Sequence, residues 1–388
     1  MIEGDSIFSE RGIHFDECLF SFCSTCLFVG IWLRVVLVWL QWRAAMKRFV
    51  WSFVILFVAV LIIPSVMVAF FSGDEQSISA STKDTQGLED EVVGKESKKA
   101  PPSFDVSVFR SKKNSLEHVP LEDYVAGVVS SEMSPSFEME ALKAQALAAR
   151  TFILKLVLNE GNTKIPEGAM VTDTIQHQVY QDAEELRQKW GQDYESNYNR
   201  VKEAVTATAG QILTYDNEPI SAQFFSTSNG FTENSEDFYE NPFPYLRSVE
   251  SPWDKESPRF SAVKELTDAE VEQKLGVSLP TDGSIPDTAS RTDGDRVASV
   301  TIGEKTFKGR EIRELLELDS TDFTWQRANG VVTIQTKGWG HGVGMSQYGA
   351  DGMAKDGMTY DKIVEHYYQG IEIAGIDHFA EKVTARLK

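Results

Sequence analysis

The chain has 388 residues, of which 42% are hydrophobic and 25% are charged, a balance typical of a folded protein rather than of a disordered one. Its net charge of −20 argues against a nucleic-acid-binding protein, and the sequence has no basic stripe with interleaved aromatic residues. The three cysteines (Cys18, Cys23 and Cys26) all precede residue 46, so the remainder offers no disulfide framework, thiol nucleophile or cysteine-based metal site.

The first 45 residues differ from the rest in composition. They contain an apolar run over residues 18–42 that Arg34 interrupts. Met46 is followed by two basic residues and a second apolar run, which is typical of a natural protein start. We therefore interpret residues 1–45 as an N-terminal extension that comes from an upstream start codon. A genuine two-span hairpin is the alternative.

Residues 46–72 are predicted to be a single transmembrane anchor. Residues 49–71 carry no charged side chain and are long enough to cross the hydrocarbon core as a helix. Lys47 and Arg48 precede this stretch, so the basic flank is expected in the cytoplasm and the rest of the chain outside it. A cleaved signal peptide is the rival interpretation, but the run is long for one and no clear cleavage site follows it.

A flexible linker is predicted over residues 73–102, which are rich in Ser, Asp, Glu, Lys and Gly and poor in large apolar residues. The main domain is then expected over residues 103–378. Its first strand is predicted at residues 105–109, where apolar and polar residues alternate.

Two helices follow in the predicted order of elements. Pro120 favours the start of the first, apolar residues recur at helical spacing, and the Ser-Pro pair at residues 134–135 ends it. Glu132 lies in its last turn. The second helix is predicted over about residues 138–158, which are rich in alanine and leucine.

Gln145 and Arg150 stand among apolar residues of this second helix. Burying either side chain without a partner is costly, so each must be paired. They either tie the helix to its neighbours or line a cleft that Glu132 also reaches, and the sequence leaves both possibilities open.

The later elements are strands grouped between helices, without the regular alternation of a parallel α/β fold, and this pattern predicts an α+β domain. The segment over residues 251–293 is acidic and punctuated by proline and glycine, and we expect it to be peripheral. Strands are predicted at residues 211–215, 220–226, 297–302 and 331–336, with a helix at residues 309–318.

The glycine-rich run over residues 338–349 is the most informative part of the sequence. It follows a predicted strand, presents His341, and reaches Ser346, a favourable N-cap for a helix through about residue 354. The run lacks the third glycine of a dinucleotide fingerprint and the Gly-Lys-Ser/Thr of a phosphate loop. A bare glycine turn beside a helix start indicates a site, although a purely structural turn has the same composition.

Several segments, which occur in order, resemble the stage II sporulation protein D family of bacterial cell-wall enzymes. The resemblance covers roughly residues 105–375. The matching segments are LEDYVAGVVSSEM (121–133), EALKAQALAART (140–151), DTIQHQVY (173–180), FSTSNGFTE (225–233) and GWGHGVGMSQYG (338–349).

The resemblance implies a membrane-anchored lytic transglycosylase, an enzyme that cuts peptidoglycan between N-acetylmuramic acid (MurNAc) and N-acetylglucosamine (GlcNAc) and leaves 1,6-anhydro ends. It implies that Glu132 is the catalytic acid. A single carboxylate suffices because the sugar's C6 hydroxyl replaces the second group that an ordinary glycosidase needs. Such a glutamate should be protonated at rest, which requires partial burial against apolar side chains.

The resemblance also implies the residues that contact substrate. His341 either contacts the saccharide or holds the glycine loop in shape, and His177 with Asp173 and Tyr180 forms a possible second cluster. Some relatives bind zinc near this segment with cysteines that the present domain lacks, so no metal and no cofactor is predicted. The candidate substrate-binding residues are Lys143, Gln145, Arg150, Ser226, Thr227, Ser228, His341, Ser346 and Gln347.

Further expectations concern location and partners. The resemblance implies a single-pass protein of the mother-cell membrane that acts on glycan strands stripped of stem peptides during engulfment. It also implies a complex with the sporulation cell-wall amidase (stage II protein P) and a membrane protein (stage II protein M). The main alternative is a non-catalytic, wall-binding enhancer of an amidase, since related domains carry that name. A scaffold that uses the linker and residues 251–293 is a third possibility.

Overall fold

The computed structural model describes residues 104–159, 165–239, 241–286 and 290–386. The predicted N-terminal extension, anchor and linker lie outside these residues. Across the described part of the chain, no helix combines the length and the apolar character that crossing a bilayer requires.

The described residues form a mixed α+β structure, as predicted. The helices are α1 (Leu121–Glu132), α2 (Met139–Leu158), α3 (Ala183–Trp190), α4 (Tyr194–Ala207), α5 (Ser235–Phe238), α6 (Asp268–Leu275), α7 (Gly309–Leu315), α8 (Gln347–Lys355), α9 (Tyr360–Tyr367) and α10 (Ala380–Arg386), with 3₁₀ turns at Gly191–Asp193, Pro252–Glu256 and Ile376–Phe379. The strands are β1 (Asp105–Arg110), β2 (Ser115–Pro120), β3 (Val171–Thr172), β4 (Gln211–Tyr215), β5 (Glu218–Pro219), β6 (Phe224–Phe225), β7 (Ser261–Thr267), β8 (Ser290–Arg291), β9 (Val297–Ile302), β10 (Lys305–Lys308), β11 (Asp322–Ala328), β12 (Val331–Lys337), β13 (Met345–Ser346) and β14 (Glu372–Gly375).

Helix α2 lies at the centre of the larger hydrophobic core and contacts α1, α4, α8, α9, α10 and strand β4. Its alanines allow close approach on several sides, because Ala141, Ala144 and Ala148 are all fully buried. Helix α1 begins directly after Pro120 and ends at Glu132, where Met133 adopts an extended conformation ahead of Pro135. The predicted bounds of both helices are therefore confirmed.

The strands form small sheets instead of one large one. Strand β1 pairs antiparallel with β2 and parallel with β3, and β12 pairs antiparallel with both β7 and β11. Short strands β6 and β13 pair in parallel and join the segment before residue 226 to the glycine-rich run. The remaining sheets have the strand orders β10-β9-β8 and β14-β4-β5.

A second hydrophobic core is built from residues 266–334. It contains side chains of β7, β9, β10, β11, β12, α6 and α7, among them Val300, Ile312 and Phe323. The expectation that residues 251–293 are peripheral is wrong, because β7 and α6 supply Leu266 and Val271 to this core. Strand β12 leaves the core at Lys337 and leads straight into the glycine-rich run.

The strand predicted over residues 220–226 is also wrong as a continuous element. Only Phe224–Phe225 is in a strand there, and it pairs with β13. The Gln223 carbonyl accepts instead from the Met345 amide at 3.0 Å and from the Tyr368 hydroxyl at 2.8 Å. Irregular partners from distant segments thus satisfy this backbone in place of a neighbouring strand.

Candidate active site

Glu132 lies on the wall of a cleft of about 800 Å³, a volume typical of ligand sites. Its Oε1 atom accepts a hydrogen bond from the Val179 amide at 3.3 Å. Met133 and Phe137, both mostly buried, line the cleft beside it. The end of α1 therefore presents one carboxyl group to the cleft from a largely apolar surrounding.

Burial raises the pKa of Glu132 above its ordinary value. The hydrogen bond from Val179, the positive charge of Lys189 and the amide of Gln347 act in the opposite direction but do not cancel the effect of burial. The protonated carboxyl group is thereby favoured relative to an exposed glutamate. This is the state in which Glu132 can donate a proton.

The cleft is lined mainly by aromatic and basic side chains. Trp339 is 38% exposed, although large aromatic residues are usually packed away from solvent. Among the lining residues that the structure describes, Glu132 is the one carboxylic acid. The aromatic and basic lining residues are Phe137, Lys189, Trp190, Phe224, Phe225, Phe238, Arg259, Arg313, Trp339, His341 and Tyr348.

Successive side-chain contacts connect Glu132 to Gln347 and Gln347 to Gln145. Gln347 lines the cleft and its side-chain amide interacts with the Glu132 carboxylate. Its Nε2 atom also donates to Oε1 of Gln145 at 3.5 Å. Gln145 is fully buried on α2, and its Nε2 atom has no hydrogen-bond partner within the described residues. Gln145 therefore supports Gln347 from behind and does not line the cleft itself.

Arg150 and Lys143 lie away from the cleft. The Arg150 guanidinium is fully buried and donates to the Glu122 carboxylate, with Nη2 to Oε2 at 2.6 Å, and to the Gln211 carbonyl at 3.0 Å. Lys143 pairs with Glu140 at 2.6 Å on the same helix. Of the two alternatives left open for Arg150, the structure thus supports the structural tie, so neither residue is among those for which we propose substrate contact.

A buried carboxylate, Asp254, holds several of the predicted hydroxyl groups. It accepts from Ser228 Oγ at 2.7 Å, from Ser251 Oγ at 2.6 Å and from Ser346 Oγ at 2.5 Å. The Ser228 backbone amide donates to it as well, at 2.9 Å. Burial raises the pKa of Asp254, against the effect of these hydrogen bonds.

The hydroxyl groups around Asp254 are structural in this arrangement. Ser228 and Ser346 are fully buried, and so is Thr227, which bonds Ser257 Oγ at 2.8 Å. Ser226 alone of the predicted serine-threonine turn lines the cleft. No local sequence signal distinguishes Asp254 from the other acidic residues of its segment, and sequence reasoning missed it.

Ser346 is the N-cap of α8, as predicted, and its Oγ accepts from the Gly349 amide at 3.3 Å. This cap fixes the start of the helix whose first residue is Gln347. Asp254 therefore positions Gln347, and through it the Glu132 environment, by holding the cap.

His341 packs among aromatic rings. Its ring centroid lies 5.6 Å from that of Phe225 and 5.4 Å from that of Phe238. Its Nδ1 atom accepts from the Val343 amide at 3.1 Å. Burial, with the nearby Arg313 and Arg296 charges, lowers the pKa of His341 to about 3, so the ring is neutral at physiological pH. These contacts describe a ring that holds the glycine loop, although one edge also lines the cleft.

The second cluster predicted from the sequence has local partners of its own. Asp173 pairs with the buried Arg110 at 3.0 Å, and Tyr180 lies under the same guanidinium. His177 Nδ1 contacts Thr172 Oγ1 at 2.9 Å. Over the described ranges, no group of three or more His, Cys, Asp or Glu side chains is placed to hold a metal ion.

Glycine at position 344 is required by both conformation and space. Gly344 has φ of +82°, and a Cβ there would lie 2.1 Å from the Gln223 carbonyl oxygen. Gly357 has a similar φ of +86°, but a Cβ there meets nothing within 4 Å. Alanine substitutions at these two positions therefore separate the cost of backbone strain from the cost of steric overlap.

We predict that Gly344→Ala destabilises the protein much more than Gly357→Ala. Alanine in the left-handed region costs about 1–2 kcal/mol at either position, and the overlap adds about 1–3 kcal/mol at position 344. Urea unfolding followed by tryptophan fluorescence measures both losses. Equal losses would show that the Gln223 backbone moves aside and that the loop is not tightly fixed.

Comparison with known proteins gives matches to stage II sporulation proteins over most of the chain. The model of the SpoIID family, described as stage II sporulation protein, matches residues 110–215. The chain is 46% identical over 343 residues to stage II sporulation protein D of Bacillus subtilis (strain 168), covering 88% of this chain and 100% of that protein. It is 45% identical to stage II sporulation protein D of Bacillus amyloliquefaciens, again over 88% of this chain and 100% of the relative.

A more distant relative has a different name. The amidase enhancer of Bacillus subtilis (strain 168) is 28% identical over 290 residues, which cover 60% of this chain and 37% of the enhancer. The two Bacillus sporulation proteins, by contrast, are matched over their whole length. The chain therefore belongs to the stage II sporulation protein D family.

Proposed function

We propose that this protein is a lytic transglycosylase that cleaves the MurNAc–GlcNAc bond of peptidoglycan glycan strands, with Glu132 as general acid and base. One observation carries the proposal: Glu132 is the single carboxylic acid in the described lining of the cleft, and burial raises its pKa. A hydrolase of the common kind would need a second carboxylate across the scissile bond.

The reaction needs only this one group. Protonated Glu132 donates its proton to the glycosidic oxygen as the bond between that oxygen and MurNAc C1 breaks. The MurNAc C6 hydroxyl then bonds to C1 and gives its proton to the Glu132 carboxylate. The acid is regenerated, no water is consumed, and the MurNAc end becomes 1,6-anhydro.

The surrounding residues have supporting roles in this scheme. The Val179 amide fixes one carboxylate oxygen, and Gln347 contacts the same group from α8. Exposed Trp339 and the partly exposed Trp190 and Tyr348 offer aromatic surface for pyranose rings. His341 shapes the loop, because its ring packs against Phe225 and Phe238 and its Nδ1 atom accepts from the Val343 amide.

Peptide-free glycan strands incubated with the purified full-length protein test this function. Mass spectrometry of the products should show 1,6-anhydro-MurNAc ends. Reducing MurNAc ends alone would mean hydrolysis, and intact strands would mean that the protein does not cut.

The pH dependence of this cleavage gives a further prediction. The active form carries a proton on Glu132, so kcat/KM should fall as pH rises through the pKa of Glu132. Lys189 lowers that pKa through its positive charge. Lys189→Gln should therefore shift the descending limb to higher pH, whereas Lys202→Gln, which alters an exposed lysine, should leave it unchanged. A shift to lower pH after Lys189→Gln would contradict the assignment of the acid.

The second candidate function is a non-catalytic enhancer of a cell-wall amidase, which the similarity to the amidase enhancer favours. In that case Glu132→Gln should leave glycan binding and amidase stimulation intact, and anhydro products should never form. A scaffold acting through residues 251–293 is less favoured, because this segment contributes Asp254 and part of the second core.

Location and partners are part of the same proposal. The anchor at residues 46–72 would hold the domain outside the cytoplasm at the mother-cell membrane. There it would act on glycan during engulfment, together with the sporulation amidase (stage II protein P) and stage II protein M. Co-purification of these two proteins with the full-length chain from sporulating cells tests the complex.

A further inference from the structure

The charge of the cleft is opposite to that of the protein. The chain carries a net charge of −20, yet the described lining contains three basic residues, Lys189, Arg259 and Arg313, beside the single acid Glu132. A neutral glycan such as chitin would not explain why an acidic protein has a basic cleft. Under the proposed function, on which the inference rests, this cleft holds a peptidoglycan glycan strand.

The three basic residues differ in the hydrogen bonds and ion pairs that their charged groups already make. Lys189 Nζ donates to the Ser130 carbonyl at 3.2 Å and its charge acts on Glu132. Arg313 is partly buried and its Nε donates to the Leu318 carbonyl at 3.3 Å. The Arg259 side chain is exposed, and within the described residues no carboxylate pairs with it. Of these three cations, Arg259 is thus the one whose guanidinium N–H groups are available to bind a ligand.

Arg259 is nevertheless held in place. Its guanidinium carbon lies 4.5 Å from the centroid of the Trp339 indole, which is a cation–π contact. Its backbone amide donates to Ser257 Oγ at 3.1 Å, and the next residue, Phe260, accepts from the Gly338 amide at 2.8 Å. The loop that carries Arg259 is therefore fixed to the loop that carries Trp339.

A fixed guanidinium beside a partly exposed indole is suited to a sugar that carries a carboxylate. The indole offers apolar surface to a pyranose, and the guanidinium offers a planar pair of donors to two carboxylate oxygens. In a peptidoglycan strand only MurNAc fits this description, through its 3-O-lactyl group. That group ends in a free carboxylate when the stem peptide is absent and in an uncharged amide when it is present.

We infer that Arg259, stacked on Trp339, binds the free lactyl carboxylate of a MurNAc residue, with Arg313 adding positive charge to the same cleft. The contact selects peptide-free glycan in two ways. It favours MurNAc-containing strands over chains of GlcNAc alone, and it loses its charged partner when a stem peptide converts the carboxylate to an amide.

Calorimetric titration of three tetrasaccharides tests the inference. They are alternating GlcNAc–MurNAc with free lactyl carboxylates, the same compound with the carboxylates converted to methylamides, and chitotetraose. The full-length Glu132→Gln protein serves as the background so that no ligand is consumed. Arg259→Gln is added to it, and Lys255→Gln, an exposed lysine of the same segment that does not line the cleft, is the matched control.

The carboxylate ligand should bind more tightly than the other two, and Arg259→Gln should weaken it by about tenfold, the effect of losing one charge-assisted contact. Binding of the methylamide and of chitotetraose should change little, and Lys255→Gln should change none of the three. Arg259→Lys should recover part of the loss, since it keeps the charge without the planar fork.

Equal weakening of all three ligands would overturn the inference, because it would mean that Arg259 merely supports Trp339. So would unchanged binding, or tight binding of poly(glycerol phosphate) through Arg259 without preference for the lactyl carboxylate. The titration is independent of cleavage. Carboxylate-selective binding without anhydro products from the wild type would reject the proposed activity alone, and anhydro products with unselective binding would reject the inference alone.

Discussion

Replacement of Glu132 by glutamine is expected to lower the rate of glycan cleavage by between about a hundredfold and ten-thousandfold, the usual contribution of a positioned general acid. Glutamine has the same shape and still accepts the hydrogen bond from the Val179 amide. It has no proton acidic enough to give to the leaving oxygen. The loss should therefore appear in kcat, with little change in the affinity for a peptide-free tetrasaccharide.

The matched control is Glu195→Gln, which changes an exposed glutamate in the first turn of α4. It should leave cleavage and affinity unchanged. Thermal unfolding of the Glu132→Gln protein should resemble that of the wild type, because the substitution removes no partner that the fold needs. Cleavage at the wild-type rate by Glu132→Gln would mean that another group supplies the proton.

Asp254→Ala is expected to lower the free energy of unfolding by about 2–4 kcal/mol, a large effect for a single substitution. The change leaves the hydroxyls of Ser228, Ser251 and Ser346 without their shared acceptor, and each site is fully buried. The Ser228 and Ser346 hydroxyls keep only longer contacts, to the Ser251 and Ser226 carbonyls, both at 3.4 Å. The buried Ser228 amide also donates to Asp254, and without that acceptor it carries the full cost of desolvation. Urea unfolding of the full-length protein measures the loss.

The same variant should also lose cleavage activity at temperatures where it remains folded, because Ser346 caps the helix that presents Gln347. Lys255→Gln, one position along the chain and exposed, is the control and should change neither property. A loss of less than about 1 kcal/mol on Asp254→Ala would be the size of a single ordinary hydrogen bond, and it would contradict the role of Asp254 as the common acceptor.

Local signals in the sequence identified the elements that carry the catalytic candidate. Pro120, the apolar spacing after it and Pro135 correctly bounded the helix that ends at Glu132. Ser346 was correctly predicted as the N-cap of α8, because a serine before a helix-compatible run has a local physical role. Both features depend on residues within a few positions of each other, and such features can be predicted from a single sequence.

The arrangement around Asp254 could not be predicted in the same way. Ser346 and Asp254 are 92 positions apart, and Arg150 and Glu122 are 28 apart. A buried arginine or serine shows that a partner must exist, but the sequence does not show which of many candidates it is. This is why Arg150, Thr227 and Ser228 were expected at the cleft and lie instead in the structure that supports it.

The acidic composition of residues 251–293 also misled the prediction. Most of its charged residues are on the surface, as such residues usually are, but Asp254 is fully buried and Leu266 and Val271 belong to the second core. Composition averaged over a segment does not show the few side chains that fold inward.

Cleavage of peptide-free glycan strands in ¹⁸O-labelled water is the most direct test of the central claim that Glu132 acts alone. If the C6 hydroxyl of MurNAc is the nucleophile, mass spectrometry of the products should show 1,6-anhydro ends that contain no ¹⁸O. Each such end is one water lighter than a hydrolysed end. New reducing MurNAc ends that carry ¹⁸O, in excess of those in an enzyme-free control that corrects for exchange at existing ends, would show that water is the nucleophile and would contradict single-carboxylate transglycosylation by this cleft.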